Sequence, residues 1–65
     1  MTEVVKTEET ELLAVAQAVR EACIQAALDG HEQAGLSGLC AEGRWELAID
    51  YVRSLDLKKV LKTLP

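Results

Sequence analysis

Three carboxylates stand four residues apart in this sequence: Glu42, Glu46 and Asp50. On a continuous helix that spacing lines them along one edge, which is half of a carboxylate metal site. A symmetric dimer would bring a second set, with His31 as a nitrogen ligand. The Glu-x-x-His pairs that four-helix di-iron sites carry do not occur here. A row of like charges is equally what a solvated helix edge carries. A metal-binding or catalytic oligomer built on these residues therefore stands as an alternative, behind a solvated face.

Three other positions could do chemistry. His31, beside Glu32, falls near the expected end of the first helix, where an imidazolium would favour the carbonyl end. A catalytic histidine needs a nucleophile within hydrogen-bond reach, whereas a capping or surface histidine needs nothing further. Cys40 falls near the start of a helix, where the dipole favours a thiolate, but the nearby Glu42 opposes one. Cys23 sits within an apolar stripe and reads as a small core residue. The pair Arg44-Trp45 has the residue types enriched at interface hot spots. In a chain with no Phe, the single Trp is also the largest filler available to a core.

No dinucleotide-binding glycine pattern, phosphate-binding loop, nucleophile elbow or HExxH motif is present, so no cofactor is expected. Cys23 and Cys40 are 17 residues apart, which fits neither a redox CxxC pair nor a paired-cysteine zinc site. They read as free thiols in a reducing, cytoplasmic setting. The start of the sequence lacks the basic and continuously apolar character of a secretion signal. No window reaches the roughly 18–20 apolar residues that a membrane span requires.

Charge bears on partners. The net charge is −4, unevenly spread: residues 1–50 hold ten acids and three bases, residues 51–65 one acid and four bases. An acidic body repels phosphate, which disfavours nucleic acid and anionic membranes. A second alternative is a small DNA-binding regulator that uses the basic C-terminal helix, around Arg53, Lys58, Lys59 and Lys62.

The elements that position these residues are helices. Thr7 or Thr10 can cap a first helix, with Glu8, Glu9 and Glu11 at its positive end. Apolar residues recur at Leu12, Val15, Ala16, Val19, Ala22, Cys23 and Ala26, with Leu13, Ile24 and Leu28 forming a second edge. The spacing predicts a helix over about 8–34, with Gly30 tolerated inside it and Gly35 as the left-handed residue that ends it. Ser37 is the expected cap of a second helix carrying Leu39, Cys40, Leu47, Ala48, Tyr51, Val52 and Leu55 on one side. Gly43 either lies within that helix or splits it into 37–42 and 44–55. Asp56 can cap a short third helix from Leu57 to about Lys62. No alternating run suggests a strand.

The stretch Gly38-Leu39-Cys40-Ala41-Glu42-Gly43-Arg44-Trp45-Glu46-Leu47-Ala48 resembles the turn between helices in pentatricopeptide and tetratricopeptide repeats. It covers under a fifth of the chain and no second copy follows, whereas such solenoids need about three repeats. The resemblance implies a helical hairpin and carries no function over.

These readings converge on an all-α chain: residues 1–6 as a flexible start, and residues 7–65 as one small helical domain. Its long N-terminal helix folds back on a second, with a short third. Below roughly 70–80 residues a single core rarely supplies more than about 3–5 kcal/mol. The leading expectation is therefore a helical protein–protein interaction module, an accessory or regulatory subunit completed as a homo-oligomer, with a dimer the simplest case. Leu13, Ile24, Leu28 and Trp45 are the expected interface residues.

Overall fold

In the computed structural model, which describes residues 2–64 and side chains from residue 8, three helices follow one another. They are α1 (Thr2–Leu36), α2 (Ala41–Arg53) and α3 (Leu57–Lys62), with no strand among the described residues. The all-α expectation and the helical hairpin are both present. At about 1.5 Å per residue, α1 is roughly 52 Å long. It sets the long axis of a molecule measuring 55 × 19 × 13 Å. The radius of gyration is 15.9 Å, against about 11 Å for a compact chain of this length.

α1 starts at Thr2, earlier than the predicted cap at Thr7 or Thr10. The helical backbone thus covers most of the stretch expected to be a flexible start. No Gly or Pro precedes Gly30, so nothing in the sequence interrupts the helical hydrogen-bond ladder. Its other end also differs from expectation. Gly38, not Gly35, holds the left-handed conformation, with φ 78°. The Leu39 amide donates to the Ala34 carbonyl and the Gly38 amide to the Gly35 carbonyl, each at 3.0 Å. This is the double bond of a Schellman ending, with Gly38 at the position that needs positive φ. Ser37 consequently closes α1 and does not cap α2. Gly35 lies inside the helix.

α2 begins after Cys40, whose backbone is extended as a cap requires but whose side chain makes no capping bond. Gly43 lies within this continuous helix, against the Leu39 side chain. Arg44 steadies the turn: its Nε donates to the Leu39 carbonyl at 3.1 Å. The Asp56 carboxylate caps α3 as expected, accepting from the Lys58 and Lys59 amides at 3.0 and 3.3 Å.

α2 and α3 pack back along α1 and bury a core of small side chains, namely Ala34, Ala48 and Val60. Gly30, also buried, lies where α1 and α2 approach most closely. Val15, Val19, Ala22, Cys23 and Ala26 are half-buried along the same stripe. Leu12 and Ala16 of the predicted stripe are exposed. α3 is only six residues long, and a third helix of that length cannot cover the whole of α1. Among the described residues, no helix is long and apolar enough to cross a membrane.

Candidate functional site

The three predicted carboxylates share one edge of the continuous α2, as their spacing requires, but they are not gathered with His31 into a metal-binding cluster. Glu42, Glu46 and Asp50 are all exposed on α2, and Asp50 makes a long ion pair with Arg53 at 3.9 Å. His31 is exposed on α1, more than one turn before the helix ends at Leu36. It therefore does not occupy the terminal turn where its charge would meet free carbonyls. Among the described residues, no cluster of three His, Cys, Asp or Glu side chains could hold a metal ion. Cys40 is exposed and Cys23 half-buried, both as free thiols.

The expected interface residues are, by contrast, in the open. Leu13 is 58% exposed, Ile24 49%, Leu28 59% and Trp45 68%. Arg44 and Trp45 separate: the arginine folds onto the turn, while the indole faces outward. Trp45 is thus not the core filler that its size could have made it. The Gly30–Ala48 approach explains why, since helices drawn together by small residues leave no room between them for a large ring.

The two long sides of the α1–α2 hairpin differ. One holds an open depression lined by Ala26, Asp29, Leu47, Asp50, Tyr51, Ser54, Leu55 and Asp56. Positions two apart on a helix lie about 160° apart around its axis. Ile24 and Leu28 stand two positions either side of Ala26, and Trp45 and Ile49 two either side of Leu47. Both pairs therefore fall on the side opposite the depression. The four form one apolar face shared by α1 and α2, with Ile49 half-buried within it. Ile24, Leu28 and Trp45 are among the expected interface residues, whereas Leu13 lies three turns nearer the start of α1 than Ile24. Ile49 was missed although it stands one helical turn after Trp45; only the rotation of α2 against α1 puts their shared side next to that of Ile24 and Leu28.

The fold is that of a helical hairpin with a short third helix, and Ile24, Leu28, Trp45 and Ile49 lie on one side of it. No protein-family model matches the chain, and no curated protein or solved structure matches it either.

Proposed function

We propose that this chain is a small helical protein–protein interaction module, an accessory or regulatory subunit that works as a homo-oligomer. One observation carries the reading. The chain exposes 5404 Å², whereas a compact monomer of 7.1 kDa exposes about 4,100 Å². The difference, about 1,300 Å², exceeds the roughly 800 Å² that each partner contributes to a standard protein–protein interface. That open surface includes large apolar side chains, among them Leu12, Leu13, Leu28 and Trp45, each more than half exposed, and contiguous exposed apolar surface marks interaction sites. Two cysteines without a disulfide suit a reducing, cytoplasmic setting.

Sedimentation velocity between roughly 1 µM and 1 mM tests the proposal. A mass that rises above that of one chain, with an unfolding midpoint that rises alongside it, is expected. A stable monomer throughout would overturn the homo-oligomer.

A further inference from the structure

We propose that the face formed by Ile24, Leu28, Trp45 and Ile49 is where a second copy of this chain docks. Two hairpins close about a two-fold axis into a four-helix arrangement. The inference rests on the homo-oligomeric reading above and names its surface.

Three observations select this face and this occupant. The first is area: a hairpin side two helices wide can supply the roughly 800 Å² per partner that a stable pair needs. The second is side-chain type. Trp45, the largest apolar side chain present, is 68% exposed on the same side of the hairpin as Ile24 and Leu28, two exposed aliphatics one helical turn apart. Exposed anchors of this kind dominate association when they enter a partner. The third is charge. The opposite side carries Asp29, Asp50 and Asp56 around its depression, and a two-fold through it would set six carboxylates against each other. The Trp45 face is bordered by both signs: Arg20 one turn before Ile24 and Arg53 one turn after Ile49, against Glu32 one turn after Leu28 and Glu46 and Asp50, which line a shallow hollow with Trp45, Ile49 and Arg53. A face of mixed sign can meet its own copy, since an isologous interface places the same patch on both subunits.

The test compares the full chain with Ile24→Glu/Leu28→Glu, and with Leu12→Glu/Leu57→Glu as a control on exposed leucines outside the face. Sedimentation reads mass and circular dichroism reads helicity. The expected result is that the first variant loses at least roughly a hundredfold in self-association while the control keeps the parent's. A parent that dimerises equally well with Ile24→Glu/Leu28→Glu overturns this face and leaves the homo-oligomer standing. A parent that is monomeric throughout overturns both. Should the first variant lose its helicity, the emission of the single Trp in the parent decides. Its maximum moves to shorter wavelength as the dimer forms if Trp45 is covered. A constant maximum across the dissociation range overturns the proposal.

Discussion

Gly30 and Ala48 meet backbone to backbone. A Cβ built on Gly30 would stand 2.9 Å from the Ala48 Cα and 2.7 Å from the Leu47 carbonyl oxygen. Both neighbours are main chain, so neither can swing aside as a flexible side chain would. The missing methyl group therefore sets how closely α1 and α2 approach, and with it the burial of Ala34 and Ala48.

Gly30→Ala is accordingly expected to destabilise the protein. Helix propensity alone would favour alanine by about 1 kcal/mol. Overpacking a tight contact costs about 1–3 kcal/mol, and here it also pushes against the Tyr51 ring at 2.9 Å. The net expectation is a lowered thermal midpoint, read by circular dichroism at fixed protein concentration. A raised midpoint would show that the helices can separate without loss.

The two glycines near the end of α1 should respond in opposite directions. Gly38 has φ 78°, a conformation that costs a side chain with a Cβ roughly 1–2 kcal/mol. Gly38→Val should therefore destabilise. Gly35 is helical, and a Cβ there would meet the Arg44 guanidinium at an ordinary 3.5 Å. Gly35→Ala should be neutral or stabilising by up to about 1 kcal/mol. The sequence reading assigned the left-handed role to Gly35. Equal loss at both positions would restore that assignment.

The helix caps offer a third pair. Cys40 has cap geometry without a capping bond, and Asp or Ser at such a position typically contributes about 1 kcal/mol. Cys40→Asp should raise the unfolding midpoint, helped by the positive end of the α2 dipole. Asp56→Ala should lower it by a similar amount, because the Lys58 and Lys59 amides lose their acceptor. Denaturant midpoints measured on both variants check the pair. No gain from Cys40→Asp would mean that water already satisfies the first amides of α2.

The sequence by itself determined that this chain is helical, and which residues share a side of each helix. Apolar spacing of three and four is a local property, carried by the 3.6-residue period of the backbone. It placed Val15, Val19, Ala22 and Ala26 on one stripe, Leu13, Ile24 and Leu28 on another, and Asp56 at a helix start. Tertiary structure decided the rest. Whether Gly35 or Gly38 takes positive φ depends on how the chain must turn to bring α2 back onto α1, and neither glycine signals that by its type. Nor did spacing indicate that Gly30 is the point of closest approach, since that needs the partner backbone beside it. The same crossing sent Trp45 outward. A ring that composition could have placed in the core is exposed, because two small residues eighteen positions apart in sequence, Gly30 and Ala48, draw the helices too close to admit it between them.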